Sequence, residues 1–459
     1  MAKLWQKGYS LDALIEAFTV GRDYILDREL AVADVLGTIA HARMLESIEL
    51  LTEAELSDLT IELRRIASDA ARDEFAISRA DEDAHTAIEN RLTNTCGEAG
   101  KKVHTGRSRN DQVISALRVY GRSALLGVFE SLGELAMALL ELAESHERTL
   151  MAGRTHMQLA MPSTVGLWAA AFAEELLDDA SLLRAAYDLV NRSALGAAAS
   201  YGVPLPLDRE MVARLLGFPR IQNNVLAVNN ARGKTEAVVL DALEHLSGTA
   251  SKLASDLILF STPEFGYFEL PETLCSGSSI MPQKRNPDGL ELVRGKAGSI
   301  AGYAAGVKAV IRALPSGYNR DFQETKEPFL RGISETYGIC AVMALTVREL
   351  RVNSAKLSEA LRIELFATDE VFRLVREGQS FREAYRIVAD QPKSVSRREV
   401  DQVLAARTAT GTPGNLNLSA ARSRLDEQLR FVEAERAREA GVIADLLGDS
   451  GIEIARAPY

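Results

Sequence analysis

Apolar residues recur along this chain at three- and four-residue spacing for long stretches. Leu125, Val128, Leu132, Leu135, Leu139, Leu142 and His146 form one seam, and Leu243, Leu246, Ala250, Leu253, Leu257 and Phe260 form another. A seam of this kind is one face of a helix that packs lengthwise against other helices. Segments 162–191 and 290–314 are rich in Ala, Leu and Val and add two further candidate helices. The small residues Ala169, Ala170, Ala171 and Ala173 would let neighbouring helices approach closely. No alternating strand pattern stands out, so the prediction is an all-α fold built on a long helix bundle. Breaks in the pattern divide the chain into an N-terminal helical domain (1–102), a central long-helix domain (103–354) and a charged C-terminal helical domain (355–459).

Four polar islands interrupt the apolar helices. "CSGSSIMPQKRNPDG" (Cys275 to Gly289) cannot be helix interior, because Pro282 and Pro287 each remove a donor and clash with the preceding turn. "HTGRSRNDQ" (His104 to Gln112) offers Ser108, Asn110 and Asp111 as helix caps before the first seam. "GRTHMQLAMPS" (Gly153 to Ser163) sets Thr155 and His156 ahead of the next helix, and "PSGYNRDFQETKE" (Pro315 to Glu327) is a dense run of donors. Each island taken singly reads as a cap or a solvated turn. Together they place hydroxyl, amide and ammonium donors at the ends of long helices, where ends can converge. Such a pocket would suit a small polycarboxylate.

Composition narrows the field. A net charge of −11 over 459 residues argues against a nucleic-acid surface. No run of about 18 apolar residues suggests a membrane span. Three scattered cysteines form neither a disulfide framework nor a thiolate metal site, which points to a reducing cytoplasm. The six histidines contain no close pair with metal-ligand spacing, so no metal is expected. "CGEAGKK" lacks the spacing of a phosphate-binding loop.

The run "GSSIMPQKRNPDGLE" (Gly277 to Glu291) resembles the signature loop of the fumarase/aspartase superfamily. Within it, "DEDAHTAIE" (Asp81 to Glu89), "HTGRSRNDQ", the Thr155–His156 pair with Gln158 and Pro162, "YNRDFQETKE" and "EGQSFREAY" (Glu377 to Tyr385) are similar to motifs of the argininosuccinate lyase family. The likeness covers roughly residues 4–389. It implies a homotetramer with one central bundle, active sites each built by three subunits, and no cofactor. The implied reaction is an anti elimination releasing fumarate. Ser278, on a mobile lid, would be the base, and His156, oriented by Glu291, would serve the leaving nitrogen; the two roles could be reversed. Lys284 and Asn286, helped by Ser108, Asn110 and Thr155, would hold the dianionic intermediate. Tyr318, Gln323 and Lys326 would hold the amino-acid side of the substrate.

Departures from the family pattern fall near that amino-acid pocket. Phe18-Thr19-Val20-Gly21 stands where the family carries Phe-Asn-Ala-Ser, and Gly153-Arg154-Thr155-His156 where it carries Gly-Tyr-Thr-His. These changes leave open a related lyase acting on another N-substituted aspartate. A non-catalytic structural descendant is the remaining alternative, although His156, Ser278 and Lys284 are all present.

Overall fold

The longest helix starts where its caps are written. Ser108 accepts from the Asn110 amide while Asp111 accepts from the Ser108 amide, a capping box that opens helix Arg109–Ser145. Its seam from Leu125 to Leu139 is fully buried, and His146 serves as the C-cap rather than as a seam residue. The second seam lies on helix Lys234–Ser261, again facing the core. The two alanine-rich segments form helices Val165–Val190 and Asp288–Ile311, the first begun by the Thr164 side chain and the second directly after Pro287. Helix Lys326–Glu349 completes a five-helix bundle in which these elements pack lengthwise. This computed structural model describes residues 12–448 and 451–455, so the first eleven residues of the N-terminal region lie outside it.

Around the bundle sit smaller helices. Ala31–Ser47 packs on the Arg109 helix and on Glu53–Ala71, and Ala84–Cys96 packs on both of these shorter helices. The 30-residue helix Leu418–Leu447 returns to lie against the Arg109 helix. The Arg109 helix is long and apolar enough to cross a membrane, but 72% of its most apolar window is buried within this fold. Its apolarity is that of a helix largely buried in the core, with Glu134 and Glu141 on an exposed side.

The fold is all-α as expected, and it carries two short antiparallel strand pairs. Strands β1 (Leu150–Thr155) and β2 (Gln158–Thr164) form an antiparallel hairpin, and β3 (Phe268–Glu269) pairs with β4 (Arg351–Val352). The residues 162–164 assigned to a helix belong to β2 instead. The first strand of the hairpin is buried on both faces over Leu150–Ala152, which erases the alternation that would have announced it.

Candidate active site

The polar islands become four structured positions. Loop 275–287 is closed at its base by a bridge in which the Ser276 and Asn286 backbones exchange hydrogen bonds of 3.0 and 2.9 Å. Arg285 pairs with Glu272 at the same neck. Inside the loop the Asn286 amide donates to the Gly277 carbonyl at 3.3 Å. The Ser278 hydroxyl oxygen accepts from the amides of Met281 at 3.1 Å and Ile280 at 3.3 Å. Two backbone donors on one hydroxyl oxygen favour negative charge there, because they lower the cost of the deprotonated form. Lys284 is exposed, and Glu291 is exposed on the first turn of the helix that follows. Ile280 in the same loop is 85% exposed.

His156 occupies the tip of the β1–β2 hairpin. Thr155 faces Gln158 in the register, which leaves His156 and Met157 as a two-residue turn. Both have positive φ, 51° and 62°, as a type I′ turn requires. Such turns favour Asn and Gly, and other residues in the left-handed region cost roughly 1–2 kcal/mol each. Strain of this kind persists where surrounding contacts enforce it. Opposite Gly153 the second strand carries one extra residue, since Ala152 pairs with Pro162 and Arg154 with Leu159, and this bulge at Ala160–Met161 re-aims the tip. Glycine is required at position 153, since a Cβ would lie 2.8 Å from the Met161 carbonyl oxygen.

Segment 318–326 meets the N-terminal segment 19–27. Gln323 donates to the carbonyls of Thr19 and Val20 at 3.2 and 3.4 Å, and a Cβ on Gly21 would lie 3.5 Å from its amide nitrogen. The Arg232 guanidinium stands 5.5 Å from the centre of the Tyr318 ring. Lys326, expected to present its ammonium to substrate, is instead buried. Its Nζ lies 2.5 Å from Asp27 and 3.2 Å from Asp23. Burial by itself would lower the Lys326 pKa, but the two carboxylates outweigh it and hold the pKa above the ordinary value. Asp27 also accepts from the Ala84 amide at 3.1 Å, so it ties this segment to the "DEDAH" helix start.

That helix start carries a buried polar network that motif reading leaves without a role. His85 Nδ1 lies 2.5 Å from Asp34, and both side chains are buried. Burial opposes the charged imidazole, yet Asp34 and then Asp83 raise its pKa. Arg109 pairs with Glu82 and Asp83, and Arg107 donates to Thr38 at 2.9 Å. The network braces the start of the Arg109 helix, where Ser108 and Asn110 sit partly buried. Motif spacing flagged "DEDAHTAIE", but its partners at Asp27 and Asp34 lie far upstream and carry no local signal.

His156, Ser278 and Asn110 lie on three separate elements of the chain. Among the described residues, no hydrogen bond or ion pair links His156, Ser278 and Asn110 to one another. The cavity of about 650 Å³ between Glu29, Tyr120, Tyr337 and Glu439 contains none of them. Nor does the cleft of about 570 Å³ at the neck of the 275–287 loop. No three His, Cys, Asp or Glu side chains among the described residues converge as metal ligands would.

Comparison with known proteins adds an independent line. A family model described as lyase matches residues 7–302. The chain is 44% identical to an argininosuccinate lyase of Sorangium cellulosum over 428 residues, 93% of this chain and 99% of that one. It is 42% identical to an argininosuccinate lyase of Bacteroides fragilis over 440 residues, 95% of this chain and 98% of that one. Among solved structures, EDDS lyase in complex with formate superposes with a TM-score of 0.81 at 24% identity, covering 97% and 96% of the two chains. A class II fumarase from Schistosoma mansoni superposes with a TM-score of 0.70 at 16% identity, covering 84% and 94%. At those identities the structural likeness establishes the fold alone, which is the long-helix fold shared across these enzymes.

Proposed function

The chain belongs to the argininosuccinate lyase family and is a carbon–nitrogen lyase that splits argininosuccinate into arginine and fumarate, and we propose how its residues divide that work. The reaction removes a proton from the carbon beside a carboxylate and leaves an aci-carboxylate carrying two negative charges. The C–N bond then breaks, its electrons go to the leaving nitrogen, and that nitrogen takes a proton. Ser278 is the base. The observation that carries this assignment is the pair of amides, Ile280 and Met281, donating to its oxygen. His156, supported by Glu291, delivers the proton to nitrogen. Lys284 and Asn286 hold the developing dianion with Ser108, Asn110 and Thr155. Tyr318 and Gln323 receive the amino-acid end, and Lys326 shapes that end through Asp23 and Asp27.

These groups meet between chains in this reading. The enzyme is a homotetramer, and each site takes Asn110, His156 and Ser278 from three different subunits. Two features support this. Four glycines of helix Asp288–Ile311 (Gly295, Gly298, Gly302 and Gly306) have open space where a Cβ would stand. Leu292 on the same helix, and Val342 and Leu345 on the neighbouring helix Lys326–Glu349, are 39–62% exposed. An apolar, small-residue face on a core helix suits a second helix from a partner. The central region 103–354 supplies that face, flanked by regions 1–102 and 355–459, and a cytoplasmic setting completes the proposal.

The test is subunit mixing, read by the ultraviolet absorbance of fumarate formed from argininosuccinate. His156→Asn and Ser278→Ala proteins are each expected to be inactive. Dissociated together and reassembled, they should regain partial activity, because some mixed tetramers contain a site with both residues intact. Mixed tetramers verified by mass, yet no more active than either parent, would overturn the shared site. A parent protein that already turns over argininosuccinate near the wild-type rate would overturn the assignment of that residue.

A further inference from the structure

His156 sits in a turn that its own sequence does not favour. Neither His156 nor Met157 is glycine or asparagine, although both have positive φ. Arg154 is the residue that reaches back across the turn. Its Nη1 donates to the Met157 carbonyl at 3.1 Å and its Nη2 to the Tyr267 hydroxyl at 3.4 Å. The guanidinium carbon also lies 4.9 Å from the centre of the Phe265 ring, a cation–π contact. Those aromatic partners are themselves fixed. Tyr267 is buried and packs with Phe260 and Phe265 at ring separations of 5.5 and 5.3 Å. Arg154 follows directly after the β2 bulge in the register, paired with Leu159, and its Nε is buried without a hydrogen-bond partner.

As a departure from the family pattern, Arg154 is expected beside the substrate's amino-acid pocket. The geometry points elsewhere. We propose that Arg154 is a positioning residue for His156, which fixes the left-handed turn by clamping the Met157 carbonyl to the aromatic cluster and does not meet the substrate. The planar fork suits this task, since it can hold a carbonyl and a hydroxyl at once while stacking on a ring. The proposal rests on the assignment of His156 to the chemistry.

Arg154→Met keeps the bulk of the side chain and removes the clamp. kcat should fall by about tenfold to a hundredfold, the scale of a misplaced catalytic group, with KM changed less than about threefold, because a binding contact is not lost. Adding Met157→Gly should recover most of the lost kcat, since glycine holds a positive φ without a clamp. A rise in KM matching the loss of kcat/KM, or no recovery in the double variant, would overturn the proposal in favour of substrate contact. If Arg154→Met does not fold, Tyr267→Phe provides the test. It removes only the hydroxyl partner and should lower kcat about two- to tenfold, and unchanged kcat would count against the clamp. His156→Asn, run in parallel, separates this idea from the catalytic assignment. Should that variant stay active, the clamp is read from the ring signals of labelled histidine, identified by their absence in His156→Asn. Those signals should shift in Arg154→Met and return in the double variant; signals that do not move would refute the clamp itself.

Discussion

Replacing Lys326 by methionine removes a cation from between two carboxylates in the interior. The ammonium lies 2.5 Å from Asp27 and 3.2 Å from Asp23. Lys326 and Asp27 are each only 1% exposed, so water cannot take the place of the lost partner. Asp27 is also held by the Ala84 amide and cannot swing outward to find solvent. Breaking one side of a buried pair in this way costs about 3–5 kcal/mol. Asp27→Asn should cost less, about 1–3 kcal/mol, because the asparagine oxygen still serves Ala84 and Lys326 keeps Asp23. The double variant Lys326→Met/Asp27→Asn leaves neither group charged, so its cost should fall short of the sum by at least about 1.5 kcal/mol. Denaturant midpoints, taken at one protein concentration because assembly contributes to stability, measure all three changes. Additivity within about 0.5 kcal/mol would show that the two residues do not act as a pair. The idea that Lys326 shapes the site through the carboxylates would then be lost, and direct contact with substrate would take its place.

Two further outcomes follow from the site and its surroundings. Ser278→Ala should lower turnover by about 10²–10⁴, the usual weight of a positioned base, while stability changes by less than about 0.5 kcal/mol, as for a surface substitution; activity within about tenfold of wild type would remove Ser278 from the base role. Burial first, and then Arg107, push His104 from its ordinary 6.5 down to about 4. The unfolded chain therefore takes up a proton that the folded chain refuses, and stability should decline as pH falls from 6.5 toward about 4. His104→Gln should flatten that decline in denaturant midpoints, and an unaltered slope would assign it to other groups.

Sequence alone determined the parts of this protein that depend on local period and local chemistry. The seams at Leu125–Leu139 and Leu243–Phe260 specify buried helix faces, because three- and four-residue spacing repeats within the element itself. Ser108 and Asp111 likewise write a helix start in four consecutive residues. The loop around Ser278 was legible as non-helical from its prolines, and its resemblance to a lyase signature carried the reaction class. Tertiary structure decided what depends on partners far along the chain. The hairpin under His156 stayed hidden because burial on both sides removes strand alternation, and because its turn lacks the Asn-Gly signal. Lys326 reads as a free donor in sequence, yet its partner Asp27 lies 299 residues away and only folding brings the charges together. Arg154 likewise reads as a departure at the substrate pocket, whereas its anchor at Tyr267 is 113 residues downstream. In each case the residue type was visible, but its role depended on which distant group came to face it in the dry interior, where an unmatched charge or a strained turn is costly.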